Sequence, residues 1–405
     1  MLRFYRTTEW QLLWPFYMEA LFGTILYIFV PFMVLYFNSI GMGASEIGIL
    51  MSVWPLSALL FEVPTGAIAD LWGRKLSVIL GYFCEGILAV LLFFFTHHAA
   101  VFVLFFFIGV ARTLTSGAKE AWVVDLLRAR GHDDLRSNYF SKYYSLFNLA
   151  FVISGVIGAL CVDFAGLQVI WLVTGISYFM SAGLLMFGRE DFIAQRETFS
   201  GAIKGIWRQT RRTALYALNE RSVTYVYVIS FTVAMAGIFR SMISWTPFLQ
   251  GFGFPDEGFG YLWSAMNITG VAAPLLARRL LNRVEDRIAL IWISVLTLAY
   301  GVLVLLTGSL FMLIGLIIVS AFIFDFRMPI NRVFFHRFIP THIRSTSGSF
   351  EQMLNASARM ISFPLVGILI DGVGPKYTVF ISTLFMIPVI VLYSRVRDVH
   401  NEKSP

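Results

Sequence analysis

Charge is what this chain has least of. Only 14% of its 405 residues are Asp, Glu, Lys or Arg, against about 25% in an average soluble domain. A water-soluble chain of this length needs far more polar surface to cover itself. The two or three soluble domains that length alone would allow are therefore excluded. Cysteine is nearly absent. Cys84 and Cys161 lie far apart in apolar runs, with neither metal-ligand spacing nor the density of a disulfide framework, and they read as small buried hydrophobes. The six His residues form no HxxH or HExxH pair, and neither a Gly-rich phosphate loop nor a nucleophile elbow occurs. These absences leave no metal, no cofactor and no enzyme among the expectations.

What remains is hydrophobic: 58% of the residues are apolar, with 40 Phe among them. A membrane-crossing helix needs roughly 20 mostly apolar residues. The sequence predicts twelve such spans, at 14–37, 45–69, 76–95, 101–127, 143–162, 169–187, 223–249, 259–277, 288–307, 310–330, 347–370 and 377–394. The expected fold class is an all-α membrane protein. No cleavable signal segment is expected before the first span, which serves as the entry helix.

The basic residues fix an orientation. With the N-terminus inside, 25 of the 31 Lys and Arg fall in cytoplasmic segments, and only Lys376 falls in an outer connection. Arg112, Lys119, Arg240, Arg327 and Arg359 lie within or at the edge of spans. Both termini are thus expected in the cytoplasm. The net charge of +7 is explained by this asymmetry without a nucleic-acid partner. The longest connection, around 188–222, places Phe199, Ile203 and Ile206 at helical spacing among Lys204, Arg208, Arg211 and Arg212. That pattern predicts an amphipathic helix on the inner membrane surface. It divides the chain into an N-terminal six-helix bundle (1–188), a linker (189–222) and a C-terminal six-helix bundle (223–405).

The halves repeat. A shift of 208 residues brings Arg136-Ser137 onto Arg344-Ser345, Ser154 onto Ser362, Asp163 onto Asp371 and Lys75 onto Arg283. A constant offset between corresponding connections implies two six-helix units in parallel orientation, related by an axis along the membrane normal. One chain then holds both halves of a transporter, so a monomer suffices.

The stretch EVPTGAIADLWGRK, residues 62–75, joins the second and third spans. Its Gly66, Asp70, Gly73, Arg74 and Lys75 stand in the order and spacing of the best-known signature of the major facilitator superfamily, which the whole chain resembles. The resemblance implies twelve helices in two pseudo-symmetric bundles, a small-molecule substrate and alternating access. Gly66 is expected to permit close helix approach and Gly73 a tight turn. Asp70 is implied to meet the start of the eleventh helix, where the dipole favours a carboxylate, and Arg74 is expected to pair with Asp125. Together these residues form a conformational latch; the alternative is a plain positive-inside anchor, which accounts for Arg74 and Lys75 alone. Pro64 is expected to bend its helix.

Ionisable residues inside spans are functional candidates by default. Glu19, Glu62 and Glu120 are the expected proton-coupling residues. Arg112, Ser116 and Glu120 share one face at spacing four, as do Glu351, Asn355 and Arg359, so the candidate substrate-cavity residues are Arg112, Ser116, Tyr27, Arg240, Trp263, Asn267, Asn355 and Arg359. The alternative for each carboxylate is a fixed ion pair with a neighbouring base. The family resemblance is closest to exporters, although the run Ser154-Gly155-Val156-Ile157-Gly158-Ala159 lacks the Pro of proton-coupled drug antiporters. The leading expectation is proton-coupled export of a small amphipathic compound. The competing one is transport of an organic anion held by the intramembrane arginines, whose forked geometry suits carboxylates.

Overall fold

The computed structural model describes residues 8–191, 220–281, 283–339 and 344–396. Among them every regular element is helical. In order these are α1 (Thr8–Met18), a π-helical turn (Glu19–Gly23), α2 (Phe29–Ser39), α3 (Ala44–Trp72), α4 (Arg74–Phe94), α5 (His98–Thr115) and α6 (Ala118–Ala129). After a 3-10 turn (Asp133–Leu135) follow α7 (Arg136–Ala165), α8 (Val169–Met186), α9 (Arg221–Phe239), α10 (Met242–Gln250) and α11 (Gly258–Leu281). The chain continues through α12 (Asp286–Leu305), α13 (Leu310–Phe338), α14 (Arg344–Val373), α15 (Pro375–Leu384) and α16 (Met386–Arg395).

Each of the twelve expected spans coincides with one of these helices or with a pair of them. Ten helical segments among the described residues are long and apolar enough to cross a membrane, and α2 is apolar but shorter. Large apolar side chains such as Phe94, Leu275 and Phe311 are left exposed at 67%, 63% and 87%. That pattern is costly in water and ordinary against lipid.

Four spans that the sequence presents as single apolar runs are broken, the twelfth for one residue only, at Phe385 between α15 and α16. The first stops at the π-turn and resumes at Phe29. Pro31 gives a reason: its ring excludes the carbonyl of Tyr27, four residues back, from an unbroken helix. The fourth breaks at Ser116 and Gly117, where Ser116 is extended and Gly117 has φ of +73°. Arg112, Ser116 and Glu120 are therefore not on one continuous helical face. The seventh breaks at Arg240 and Ser241, and the indole N–H of Trp245 donates to the freed Arg240 carbonyl at 2.8 Å. In contrast, α3 runs unbroken through Pro64, and α13 continues eight residues beyond the expected end of its span. The amphipathic helix expected around 199–212 lies outside the described residues.

The helices gather into two compact units. One comprises 1–40, 56–203 and 256–264; the other 41–55, 204–255 and 265–405. The 208-residue repeat appears in the helices themselves: α7 and α14 are both 30 residues long, and both of their ends correspond at that offset. Ser154 and Ser362, matched in the repeat, are both fully buried.

Burial in lipid supplies no hydrophobic drive between helices, so close packing and small residues must hold them together. In the first unit α4 lies along α8 and α5, and Phe16 meets the rings of Trp122 and Tyr139 edge-on. Gly155 and Gly260 bring the backbones of α7 and the first turn of α11 together so closely that a Cβ on either would strike the other's carbonyl. Ser264 closes the contact by donating to Val152 O at 2.6 Å. In the second unit α9 lies along α14. The start of α3 rests on α14, where a Cβ at Gly48 would strike Phe363 O. Asp371 accepts the Ser45 N–H at 2.9 Å and the Ser45 hydroxyl, satisfying a backbone donor at the open N-terminal end of α3.

Candidate functional site

The two helix breaks of the first unit face a single pocket of about 320 Å³. Thr24 and Tyr27 come from the first break, Ser116 and Gly117 from the second, and Glu19 from the π-turn. Interrupted helices free backbone groups and turn side chains inward, and π-turns recur at functional sites for that reason. The walls are aromatic: Tyr82, Tyr139, Tyr143, Tyr144 and Tyr178 with Phe140, Phe147 and Phe151. Phe147 stacks on Tyr143 at 6.1 Å and meets Phe151 edge-on at 4.7 Å.

The charged side chains of the pocket are largely matched to one another. Glu19 is 3% exposed. The Lys119 ammonium donates to both of its carboxylate oxygens, at 2.9 and 3.1 Å, and Tyr82 donates to one at 2.8 Å. Lys119 also reaches the hydroxyls of Tyr82 and Tyr143 at 2.9 and 2.7 Å and lies over both rings, 5.5 and 5.1 Å from their centroids. Arg112 pairs at 3.3 Å with Glu85, whose side chain is fully buried. Burying a charge demands such a partner. Glu120 differs. It is exposed at the pocket wall, and its contact is a 2.9 Å hydrogen bond from the Tyr144 hydroxyl, with no ion pair among the described residues.

Of the residues expected from the sequence, the pocket thus collects Glu19, Glu120, Arg112, Ser116 and Tyr27. Glu62 is exposed on α3 and does not line it. Trp263 packs edge-on against Phe151 at 5.9 Å without lining the pocket. Arg240, Asn267, Asn355 and Arg359 belong to the second unit. There Ser230 donates to Glu351 at 2.8 Å, with the Asn355 side-chain oxygen 3.4 Å from the same hydroxyl. Sequence reasoning marked Lys119 and Glu85 only as charges inside spans, without assigning them to the site, and passed over Tyr82, Tyr139, Tyr143 and Tyr144. In the second unit it also passed over Asp325, which accepts from Thr269 at 2.7 Å, and the buried Arg327, which reaches the Tyr393 hydroxyl at 3.2 Å. The signal for Lys119 and Glu85 was their charge inside spans; nothing in one dimension marks which tyrosines converge.

The glycine-rich stretch forms the turn from α3 to α4. Gly73 has φ of +101°, a conformation that side chains disfavour. A Cβ there would lie 3.0 Å from the Glu190 carboxylate, which accepts the Lys75 N–H at 2.9 Å. Arg74 reaches Asp125 at 2.5 Å and Asp70 at 3.4 Å. Lys75 donates to the carbonyls of Met186 and Gly188, at 2.7 and 2.8 Å, which suits a cation at the C-terminal end of α8. Gly66 departs from expectation. No neighbour lies within 4 Å of where its Cβ would be, so this conformation contains no close approach there.

Apolar helices in two six-helix sets, helix breaks around a charged and aromatic pocket, and a Gly-Arg-Lys turn define a membrane transporter. The sequence profile of the Major Facilitator Superfamily matches residues 16–362, and the chain belongs to that family, whose members are transporters rather than enzymes. It is similar to an uncharacterised MFS-type transporter, YxaM, of Bacillus subtilis (strain 168), with 25% identity over 382 residues covering 93% of each chain. Among solved structures it is similar to the nucleoside transporter NupG (TM-score 0.76, 15% identity, 94% of this chain and 96% of that one). It is also similar to a D-xylose-proton symporter (TM-score 0.74, 11% identity, 95% and 98%). At these identities the structural likeness is one of fold.

Proposed function

We propose that the protein is a secondary active transporter that works by alternating access and exports a small amphipathic compound in exchange for protons. The observation that supports this most is the pocket itself. Its volume and aromatic walls fit a small, largely apolar molecule, and its two bases, Arg112 and Lys119, already face Glu85 and Glu19. That pairing weighs against the organic-anion alternative at this pocket. Glu19, Glu62 and Glu120 are the proposed proton-coupling residues. Gly66, Asp70, Gly73, Arg74, Lys75 and Asp125 form the proposed latch, on the side of the membrane that also bears the termini. Arg74 bridging Asp70 and Asp125 is the kind of contact that can form in one state of the cycle and break in another.

The test is flux in proteoliposomes containing the full chain. A panel of small amphipathic fluorophores is loaded, and a pH gradient is imposed across the vesicle membrane. Uphill movement that follows the gradient and collapses with a protonophore is expected. Flux indifferent to the gradient, or no flux above empty vesicles for any probe, refutes the reading. Glu19→Gln, Glu62→Gln and Glu120→Gln are then compared. A coupling residue loses uphill flux and keeps downhill exchange.

A further inference from the structure

We infer that the compound recognised by the first-unit pocket is a cation, and that Glu120 together with the aromatic side chains beside it selects the charge. This rests on the export reading only in taking the pocket as the substrate site.

Three observations converge. Glu120 lines the pocket and, unlike Glu19 and Glu85, has no basic side chain paired with it among the described residues. Its hydrogen bond comes from Tyr144, whose ring stacks on Phe140 at 6.4 Å and 24°; both rings line the pocket with Phe147. A carboxylate beside aromatic faces attracts a cation twice over, by charge and through the ring quadrupoles. The same pocket also displays this chemistry satisfied from within. The Lys119 ammonium lies over two tyrosine rings with the Glu19 carboxylate at 2.9 Å. Glu120 repeats the combination of carboxylate and aromatic side chains without a basic partner among the described residues, and a cationic ligand completes it.

Arg112 adds a second handle. Its charge is matched by Glu85, but only one of its N–H groups is engaged in that contact, and the side chain is 37% exposed. A guanidinium has five N–H donors. The remainder can donate to a carbonyl or hydroxyl oxygen. The substrate class is therefore a small organic cation with an aromatic or aliphatic body and a neutral hydrogen-bond acceptor.

The experiment measures equilibrium binding of radiolabelled tetraphenylphosphonium, neutral triphenylphosphine oxide and tetraphenylborate to the full-length protein in nanodiscs. Wild type is expected to prefer the phosphonium over the phosphine oxide and to bind the borate weakest. Because Glu120 is exposed, its contribution is modest. Glu120→Gln should lower the phosphonium-to-phosphine oxide selectivity by roughly two- to fivefold, with Glu120→Asp retaining most of it. Unchanged selectivity in a Gln variant of normal thermal midpoint overturns the proposal, as does a wild-type preference for the borate. Proteoliposome flux of the phosphine oxide separates the two ideas. If selectivity is unchanged while gradient-driven flux persists, the charge assignment fails and the exporter reading stands. If selectivity shifts as expected while no probe is driven by the gradient, the export reading fails and the cation site stands.

Discussion

Lys119→Met removes the cation from the most deeply buried ion pair of the pocket. The Glu19 side chain is 4% exposed and that of Lys119 is 16% exposed, so water cannot replace the missing partner. Leaving one member of a buried pair uncompensated costs about 3–5 kcal/mol. Tyr82 still donates to Glu19 at 2.8 Å, and Tyr143 lies at 3.4 Å. These donors place the expected loss near the lower figure, about 3 kcal/mol. Glu19→Gln strands the ammonium in the same way and should cost a similar amount. The double variant buries no charge, and the introduced amide can still exchange hydrogen bonds with both tyrosines, so its loss should be about 1 kcal/mol. The two singles would then be coupled by several kcal/mol, far beyond the additivity of independent sites. In detergent, a thermal ramp read by the monodisperse peak on size exclusion should show each single lowered by roughly 3–5 °C and the double by roughly 1–2 °C. A double variant as unstable as the sum of the singles would refute the ion-pair reasoning. The same protein also decides the proposed proton role of Glu19. If the double variant still drives uphill flux, Glu19 is a structural partner of Lys119 and not the proton carrier.

Arg74 and Asp125 are 20% and 53% exposed, so Asp125→Asn should change the thermal midpoint by no more than about 1–2 °C while transport falls; Arg74→Asp with Asp125→Arg should recover part of the flux, and no recovery would argue against a latch. Gly73→Ala forces a side chain into φ of +101° beside Glu190 and should cost about 1–3 kcal/mol, seen as a clear drop in the midpoint. Gly66→Ala meets open space and should be neutral or stabilising by up to about 1 kcal/mol; lost transport in that stable variant would report a second state in which α3 is approached closely. Glu9, ahead of the first span, is pushed upward by burial, but the Lys142 ammonium and the Tyr17 hydroxyl outweigh this and hold its carboxyl below the ordinary range. A carboxyl depressed in the folded state contributes stability above its unfolded value of about 4.3 and loses it as pH falls through the folded value. Midpoints of wild type and Glu9→Gln should therefore differ at pH 7 and converge only as pH falls below the folded value of Glu9.

Hydropathy alone placed the ten helical segments that are long and apolar enough to cross a membrane, because a helix that crosses lipid must be apolar along most of its length wherever it packs. The 208-residue offset likewise anticipated α7 and α14, whose ends match at that spacing, since a duplicated helix keeps its length when its surroundings are duplicated. The Arg74–Asp125 pair was expected from the signature and is present. The breaks were not legible. The run 101–127 reads as one mostly apolar span despite Arg112, Lys119, Glu120 and Asp125, and whether Ser116-Gly117 continues a helix or interrupts it depends on what neighbouring helices offer the freed backbone groups. Glu19, Lys119, Tyr82 and Tyr143 lie on four separate segments, far apart in sequence. The sequence shows each as a polar residue in an apolar run. Only the packing decides that Lys119 neutralises Glu19 while Glu120, its immediate neighbour in the chain, is left facing the pocket, because adjacent residues on a helix point about 100° apart.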